Sequence, residues 1–400
     1  MKILWVKVGG LWPLNSGGRL RSFNIVSELS RQHQVSVLTT HPPGEDGDEL
    51  RRQLPRCERV TSIPFAAPKW HSPRFPFVLA RSWFSSLPVD LLKHRIPDLR
   101  REVSAQLENG SIDLCIADFL FAVPNVPLES NVPMVFFAHN VEHLIWKRLC
   151  HSRRRFWMRP LLEVEWRKIR RYETDACRRA NLTIAVSPDD CKTLAKNAPS
   201  ARIRTVPTGV DTDYFTPDSS GEKQTELIFT GSMDWYPNED AIQYFIDDVL
   251  PLIRREFPDI RLTAVGRGPG RRIREKADDA GVTLTGRVPD VRPYVNESML
   301  YIVPLRIGGG TRLKIFEALA MGKAVVSTTI GAEGLPLEDG KHFLRADGPR
   351  PFATAIVSLL RDEGRRRALG EAGQKLVREH FNWPAVAQQF SHLCETENEQ

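Results

Sequence analysis

Residues 304–327 combine groups that can hold an anion with one carboxylate. The stretch reads PLRIGGGTRLKIFEALAMGKAVVS, in which three glycines and Thr311 precede Arg312, Lys314 and Glu317. Glycines leave backbone amides uncovered, and a helix N-terminus favours negative charge. If Thr311 is the N-cap of a helix, these amides lie at its first turn. Arg312 and Lys314 converge on one ligand only if that first turn is irregular.

Glu317 lies at the edge of the predicted apolar face of this helix. At about 100° per residue, Leu313, Phe316 and Ala320 share one face, Glu317 lies about 40° from Leu313, and Lys314 about 60° further. Burying a carboxylate is costly unless it has partners. A pair of ligand hydroxyls, such as a ribose diol, would be a suitable partner. The alternative is an amphipathic helix with scattered surface charges.

Two loops in the first half of the chain also follow strand-like segments. The NSGGR loop contains Gly17 and Gly18, and the AHNVEH loop contains His139, Glu142 and His143. Parallel α/β sheets bind ligands at the carboxyl ends of their strands, so both loops are candidate sites. NSGGR is also compatible with a tight turn, and it is not a G-x-G-x-x-G motif, which argues against a dinucleotide-binding domain. The two histidines and Glu142 lack a third ligand, so no metal site is predicted.

The segments that position these loops alternate between strand and helix patterns. MKILWVKV, RLRSFNIVSELSRQ and QVSVLTT open the chain as strand, helix and strand, and DLCIA, MVFFA, LTIAV and IRTVP follow as apolar runs. Residues 208–226 are rich in turn formers, and the pattern then restarts with ELIFTGS, IRLTAVG, VTLTG, MLYIVPL and AVVSTT. The segment NEDAIQYFIDDVLPLIRREF predicts one amphipathic helix. The alternation predicts two α/β domains with doubly wound parallel sheets, at 1–207 and 208–380.

The composition is that of an ordinary soluble protein. The chain has 400 residues, 41% of them hydrophobic and 26% charged, and no apolar run is long enough to span a membrane. The N-terminus predicts a strand rather than a signal peptide, because its apolar run is short and broken by Lys7. The six cysteines form no C-x-x-C pair, which argues against a zinc site or a disulfide framework and favours a cytoplasmic location.

Two segments are candidates for contact with a larger partner. The net charge is +7, and residues 147–180 carry twelve Lys and Arg against four acids. Such a segment can attract the phosphates of an anionic membrane or of nucleic acid, or it can be a solvated helix face. Residues 66–99 are rich in proline, aromatic and basic residues, and they predict either a flap facing an acceptor or a membrane, or an irregular segment packed on the core.

Taken together, the motifs resemble the retaining glycosyltransferases of family four, which have the GT-B fold. The resemblance covers most of the chain, through NSGGR, AHNVEH, IAVSPDD, VPTGVDTDYF, FTGSMDW–PNEDA, AVGRGP, TGRVPDV, GGGTRLKIFEALAMGKAVVST and GAEGL. It implies two Rossmann-like domains facing across a cleft, with a nucleotide-sugar donor bound mainly by the second. It also implies a C-terminal helix at about 381–395 that packs back on the first domain, sugar transfer with retention, and no required metal or other cofactor.

The resemblance also assigns roles to individual residues. Glu317 would bind the donor ribose, Arg312 and Lys314 would hold the diphosphate, and His139 would contact the donor sugar near the reacting centre. The loop that begins at Gly286 would meet the base. The implied catalytic residues are His139, Arg312 and Lys314. The implied donor-binding residues are Gly17, Gly18, Gly231, Arg287, Val288, Gly309, Gly310, Thr311, Leu313 and Glu317.

Two positions depart from the family pattern. The family commonly has a second glutamate eight positions before the ribose-binding one, and this sequence has Gly309 there. The family also commonly has an Arg and a Lys after the first strand of the second domain, whereas the loop here reads GSMDWYPN. Arg312 and Lys314 are therefore predicted to replace that positive charge.

Several alternative functions are compatible with these patterns. A GT-B nucleotide-sugar epimerase would keep the fold and change the reaction. A phosphorylase-like enzyme would need a lysine for pyridoxal phosphate, for which there is no pattern. A basic nucleic-acid-binding protein would use residues 147–180, but that segment has no recognisable binding motif, so nucleic acid is not expected. The favoured partners are a nucleotide-diphosphate sugar, a glycan or lipid-linked acceptor, and an anionic membrane surface at 147–180 that would place the protein on the inner face of the membrane.

Overall fold

Two compact units make up the chain. The computed structural model describes residues 1–68, 72–73, 75–127, 130–150, 159–218, 221, 225–307 and 312–398. The first unit, here the N-terminal unit, consists of Met1–Pro207 and Val386–Gln400, and the second, the C-terminal unit, is Thr208–Ala385. Each unit has its own parallel sheet and its own apolar core.

The sheet of the N-terminal unit has its switch point between its first and fourth strands. Its strand order is β3-β2-β1-β4-β5-β6-β7, and every pair is parallel. Loops that follow the two strands at such a switch point diverge and leave a crevice at the carboxyl edge of the sheet. The strands are β1 Lys2–Lys7, β2 Gln34–His41, β3 Arg59–Pro64, β4 Leu114–Asp118, β5 Met134–Ala138, β6 Leu182–Ala185 and β7 Ile203–Thr205.

Helices connect these strands. They are α1 Gly17–Leu29, α2 Glu49–Gln53, α3 Phe75–Trp83, α4 Val89–Leu92, α5 Pro97–Glu108, α6 Glu142–Cys150, α7 Arg159–Arg179 and α8 Pro188–Asn197, with a short 3-10 turn at Val123–Asn125. Within the described part of residues 66–99, the chain forms α3, α4 and the start of α5 rather than only irregular structure.

The sheet of the C-terminal unit repeats the doubly wound plan. Its strand order is β10-β9-β8-β11-β12-β13, so the switch point lies between β8 and β11. The strands are β8 Glu226–Thr230, β9 Arg261–Val265, β10 Thr283–Leu284, β11 Leu300–Val303, β12 Ala324–Ser327 and β13 Leu344–Arg345. The helices are α9 Tyr236–Tyr244, a π-helical turn Phe245–Val249, α10 Leu250–Arg254, α11 Arg271–Asp279, α12 Arg292–Glu297, α13 Leu313–Ala320, α14 Pro349–Arg361, α15 Glu363–His380 and α16 Trp383–Asn398.

The last helix, α16, contributes its later residues to the N-terminal unit. Val386 and the residues after it belong to that unit. The buried ring of Phe390 lies 5.8 Å from Trp5 of β1 and 5.1 Å from Phe137 of β5, measured between ring centroids. Aromatic packing of this kind is a large contribution to core stability, so the end of the chain helps to hold the first sheet.

The predicted α/β fold class with two doubly wound sheets is confirmed. Each predicted strand segment contains a strand, but the sequence pattern missed β3 and β13. Strand β3, RVTSIP, contains polar residues and forms no continuous apolar run, and β13 has only two residues. The predicted single helix after β8 is interrupted by the π-helical turn Phe245–Val249. The sequence pattern could not reveal this turn, because one extra residue in a helical turn hardly alters the apolar period.

Candidate functional site

Helix α13 begins one residue later than the predicted N-cap implies. Its first residue is Leu313, and Arg312 occupies the N-cap position with a non-helical backbone and no side-chain capping bond. The predicted cap Thr311, with Gly309 and Gly310, lies outside the described residues. Since Arg312 precedes the regular helix, the irregular geometry required for it to approach Lys314 is present.

The buried face of α13 differs in part from the predicted one. Phe316 and Ala320 are buried as expected, but Leu313 is only half-buried. Ile315, Ala318 and Leu319 complete the buried face, which rotates it away from Leu313. Glu317 is half-buried, so its carboxylate borders the core as the helical wheel predicts.

Lys314 extends from α13 to the loop after the neighbouring strand β8. Its Nζ donates to Oδ1 of Asn238 at 3.1 Å and lies 4.1 Å from the ring centroid of Phe229, the penultimate residue of β8. A Cβ atom added to Gly231 would lie 2.7 Å from this Nζ, so a side chain there would displace the lysine. The ammonium group therefore lies at the switch point between β8 and β11, where α/β sheets bind ligands.

The charges around Lys314 are partly or fully buried. Arg312 is buried, and its Nε and Nη2 donate to the carbonyl oxygen of Ile330 at 3.3 and 3.2 Å. Burial, with repulsion from Arg312, lowers the pKa of Lys314 to about 7, against an opposing effect of Glu317. Burial also raises the pKa of Glu317 to about 7, although Lys314 opposes that shift. Two cations and one carboxylate thus share a poorly solvated site, which an anion carrying hydroxyl groups would complement.

The other predicted donor-binding loops of this unit lie in one row along the same sheet edge. The amide of Gly231 donates to the carbonyl of the last residue of β9 at 2.8 Å. Gly266, directly after β9, forms an isolated bridge with Gly286, the last residue of the predicted strand segment VTLTG, which lies two residues after the end of β10. Arg287 is exposed and Val288 half-buried. The structure therefore brings Gly231, after β8, and the loop of Arg287 and Val288, after β10, to the same edge of the sheet, with the end of β9 between them.

In the N-terminal unit, His139 lies inside a buried cluster of charged residues. Its Nε2 lies 2.7 Å from Oδ1 of Asp118, and its Nδ1 lies 3.0 Å from Nη1 of Arg21. Its ring stacks on Phe119 at 3.8 Å between centroids, and the residue is only 3% exposed. Burial lowers the pKa of His139 to about 3, although Asp118 opposes the shift. A guanidinium can only donate, so Nδ1 accepts and the proton of the neutral ring is on Nε2.

Asp118 links this histidine to a buried lysine. Its Oδ2 accepts from Nε1 of Trp5 at 2.9 Å and from Nζ of Lys7 at 3.0 Å, and Lys7 also donates to Oγ of Ser22 at 2.8 Å. Burial alone would raise the pKa of Asp118, but the positive charge of Lys7 and the contact with His139 hold it below its usual range. We call Lys7, Arg21, Asp118 and His139 the His139 cluster.

Sequence reasoning missed three members of the His139 cluster. Lys7 and Asp118 each occupy a strand whose other residues are almost all buried apolar ones. A charge in such a strand requires a buried partner of opposite sign, so these two residues could have been paired from the pattern. Arg21 lies in the helix after NSGGR and gave no comparable signal.

The predicted glycines of the first loop lie at the start of α1. Gly17 is the first helical residue, and Oγ of the N-cap residue Ser16 accepts from the amide of Arg19 at 3.4 Å. A Cβ atom on Gly18 would lie 2.7 Å from the ring of Phe119, so a larger residue does not fit. Gly18 also lines a cavity of about 380 Å³ at the carboxyl edge of the first sheet, together with Lys7, Arg19, Thr40, His94, Phe119 and Phe121, among others.

Both units of the chain match models of known protein families. Residues 16–214 match the model described as Glycosyltransferase Family 4, and residues 224–362 match the model described as Glycosyl transferases group 1. This chain is a family 4, group 1 glycosyltransferase. The predicted family resemblance is therefore confirmed.

Relatives of this glycosyltransferase include proteins named as mannosyltransferases. An uncharacterised 44.6 kDa protein in the cps region of Klebsiella pneumoniae is 21% identical over 95% of this chain and 96% of its own length. The phosphatidyl-myo-inositol mannosyltransferase of Mycobacterium tuberculosis is 28% identical over 48% of this chain and 53% of its own length. The match to the mannosyltransferase thus spans about half of each chain.

Solved structures similar to this glycosyltransferase cover the whole chain. Sucrose-phosphate synthase from Thermosynechococcus elongatus has a TM-score of 0.72 at 17% identity, over 99% of this chain and 98% of its own. Anabaena HepE, solved in complex with UDP and glucose, has a TM-score of 0.67 at 14% identity, over 99% of both chains. These likenesses show the GT-B fold.

No described helix is long and apolar enough to cross a membrane. Among the described residues, no three His, Cys, Asp or Glu side chains are grouped so that they could hold a metal ion.

Proposed function

We propose that this protein transfers a sugar, with retention of anomeric configuration, from a nucleotide-diphosphate donor to a glycan, lipid-linked or small-molecule acceptor. The proposed setting is the synthesis of a cell-surface polysaccharide or glycoconjugate. Relatives support this setting, because one is a protein of a cps region and others are named as phosphatidyl-myo-inositol mannosyltransferases. The structure of HepE with UDP and glucose supports a nucleotide-sugar donor.

The position of the Lys314 ammonium group is the observation that carries the proposal. It lies at the switch point of the C-terminal unit, beside Gly231 and within electrostatic reach of Arg312 and Glu317. A diphosphate bound there would neutralise both cations, and the adjacent ribose could accept Glu317 as its hydrogen-bond partner. The pKa values of Lys314 and Glu317, both near 7, indicate that each charge lacks solvation until such a ligand binds.

The position of Lys314 also supports the proposal that it replaces basic residues of the family pattern, namely the Arg and Lys that commonly follow the first strand of the second domain. The loop after β8 has no Arg or Lys in GSMDWYPN. The Nζ of Lys314 approaches the backbone of Gly231 at the start of that loop, although Lys314 belongs to α13. The positive charge at the end of β8 is therefore supplied from another element. We propose that Arg312 and Lys314 together hold the diphosphate without a metal ion.

In the proposed reaction, stabilisation of the leaving group dominates. The bond between the anomeric carbon and the diphosphate oxygen breaks, and its electron pair passes to the diphosphate. Arg312, Lys314 and nearby amides stabilise the developing negative charge. The acceptor hydroxyl forms its bond on the face from which the diphosphate leaves, and its proton passes to a diphosphate oxygen. This path retains configuration and requires no protein nucleophile.

The acceptor is proposed to bind in the cavity of the N-terminal unit. Its wall contains His94 and Phe121, whose ring centroids lie 4.8 Å apart, and the charged groups of Lys7 and Arg19. An aromatic wall with cationic groups suits an acceptor that has an apolar face and hydroxyl or phosphate groups. The cavity of about 380 Å³ has the size of a small-ligand site.

A panel of nucleotide sugars with different bases and sugars tests the proposal, first by thermal shift. A bound donor at about 100 times its Kd should stabilise the fold by about 2.7 kcal/mol. Glu317→Gln should reduce the shift, whereas the exposed Lys341→Ala serves as a matched control that keeps it. The anomeric coupling constant in the NMR spectrum of the product should show retained configuration. An inverted product, or conversion of the donor without any acceptor, would contradict the proposal.

A further inference from the structure

Helix α3 presents an exposed apolar face. Phe77 is 78% exposed, Trp83 59% and Phe84, just beyond the helix, 94%. Pro76 and Ala80 are also exposed and lie between them on the same face at helical spacing. Clustered apolar side chains of this size on a protein surface mark a contact with another molecule.

Buried contacts fix α3 to the basic helix α7. Lys168 of α7 donates through Nζ to the carbonyl oxygens of Ser82 and Leu87 at 2.6 and 3.3 Å. Glu165 of the same helix accepts at Oε2 from the amide of Val89 at 2.8 Å. The end of α3 and the chain from Leu87 to the start of α4 are thus held by hydrogen bonds to α7, while the apolar outer face of α3 remains exposed.

The outer face of α7 is an arginine surface. It carries four exposed arginines, at positions 167, 170, 171 and 178, which line a shallow basin of about 490 Å³. Two of them pair with acids of the same helix, Arg167 with Glu163 at 2.8 Å and Arg178 with Asp175 at 3.6 Å. The other acids of α7, Glu165 and Glu173, are buried. The exposed face therefore keeps an excess of positive charge.

We propose that the apolar face of α3 and the arginine face of α7 together bind the surface of an anionic lipid bilayer. The aromatic side chains enter the interface between head groups and acyl chains, and the arginines contact lipid phosphates. This inference rests on the proposed function only in that a lipid-linked acceptor would explain why the enzyme needs a membrane.

The positive charge of the arginines on α7 favours an anionic membrane over a second copy of this chain as the partner of this surface. A symmetric dimer through α3 and α7 would bring the same arginines from both copies towards one another, which is unfavourable. An anionic bilayer satisfies the apolar and the cationic face at once. Part of the basic segment 147–180, residues 151–158, lies outside the described residues and is not needed for this proposal.

Vesicle flotation of the full chain tests the proposal. The probes are vesicles of phosphatidylcholine alone and vesicles with about 30 mol% phosphatidylglycerol. The protein should float with the anionic vesicles and remain unbound with the neutral ones, and added salt should weaken the binding. No flotation with anionic vesicles, or equal flotation with both kinds, would overturn the proposal.

Matched variants separate the two faces. R167Q/R171Q should weaken partitioning by roughly 25-fold, since each basic residue near an anionic surface contributes about fivefold. R272Q/R365Q removes two exposed arginines from the C-terminal unit and should leave partitioning unchanged. F77S/F84S should also abolish flotation, while F77L/F84L should retain most of it. Equal losses in both arginine pairs, or full binding by F77S/F84S, would contradict the assigned surface.

Two further measurements distinguish this proposal from its alternatives. Sedimentation velocity should give a monomer at low and high concentration, and a dimer that F77S/F84S abolishes would assign the apolar face to a second copy instead. All four variants should keep the thermal shift with the nucleotide-sugar donor. Three of them change the N-terminal unit, and R272Q/R365Q changes two exposed arginines that are not among the proposed donor-binding residues. A missing donor shift with intact flotation would refute the proposed reaction and leave the membrane surface standing.

Discussion

The His139 cluster and the Lys314 site both place charges in poorly solvated positions at a sheet's switch point, but they satisfy those charges differently. In the His139 cluster, Asp118 contacts Lys7 and His139 directly, so each charge has a protein partner. In the Lys314 site, Nζ donates to the neutral side-chain amide of Asn238 and lies over the ring of Phe229, and repulsion from Arg312 adds to the effect of burial.

This difference indicates two roles. A closed network of opposite charges is rigid and stabilises the fold without a ligand, whereas an excess of positive charge at a sheet edge is favourable only when an anion binds. The pKa values agree with this distinction. That of Asp118 lies below its usual range, while those of Lys314 and Glu317 have moved towards neutrality. The charges of the first region are satisfied on folding, and those of the second would be satisfied by the proposed nucleotide ligand.

The largest expected effect comes from breaking the closed cluster. Asp118→Asn should destabilise the N-terminal unit by about 3–5 kcal/mol, because Lys7 would be left buried without its counter-ion. Urea unfolding followed by tryptophan fluorescence measures this, with the exposed Asp113→Asn as control. The double variant Lys7→Met/Asp118→Asn should recover part of the loss. A loss below about 1 kcal/mol in Asp118→Asn would show that the cluster is not the closed network described here.

The next largest expected effect is a loss of turnover when the cations of the Lys314 site are removed, which tests their assignment to the diphosphate. Arg312→Ala and Lys314→Ala should each lower kcat by about 10²–10³-fold, since both are proposed to stabilise the charge that develops on the leaving diphosphate. Thermal stability should change little in Lys314→Ala, which removes a desolvated charge. Lys341→Ala, an exposed lysine paired with Glu338, is the matched control. Near-normal turnover in both site variants would refute the assignment of the diphosphate to these two residues.

The smallest effect concerns pH. In the proposed site, Lys314 binds a diphosphate when it is protonated. Its pKa is lowered to about 7, so nucleotide affinity should fall by up to about tenfold per pH unit above 7. Glu317 is proposed to bind the ribose when it is ionised. Its pKa is raised to about 7, so nucleotide affinity should also fall below that pH. Calorimetry with UDP and with GDP should therefore give an optimum near pH 7.

Two substitutions separate the limbs of this profile. Lys314→Arg keeps its charge at all these pH values and should remove the alkaline limb. Glu317→Gln should remove the acidic limb and weaken binding by about tenfold, the value of one charge-assisted hydrogen bond. His139 should contribute no limb, because its pKa of about 3 keeps it neutral throughout. An affinity that does not vary with pH would mean that neither Lys314 nor Glu317 contacts the nucleotide.

Much of the fold and of the Lys314 site could be predicted from local sequence. Apolar runs bounded by turn residues marked most of the strands, and the break at 208–226 marked the restart of the pattern. The stretch around Lys314 and Glu317 was recognisable because glycines, bases and an acid rarely combine at a predicted helix start. The predicted buried face of α13 was partly wrong, because Leu313 is only half-buried. A helical wheel shows which residues share a face, but it does not show which direction faces the sheet.

The sequence by itself determined which residues follow which strand, because apolar spacing is a local property of the chain. Only the tertiary structure decided which charges meet. Lys314 bonds Asn238 across 76 positions, and Lys7 bonds Asp118 across 111. Parallel strands pair through long crossovers, so residues that are distant in the chain become neighbours at one sheet edge. The long range of these contacts is the physical reason that the position of Lys314 and the closure of the His139 cluster emerge only in the folded protein.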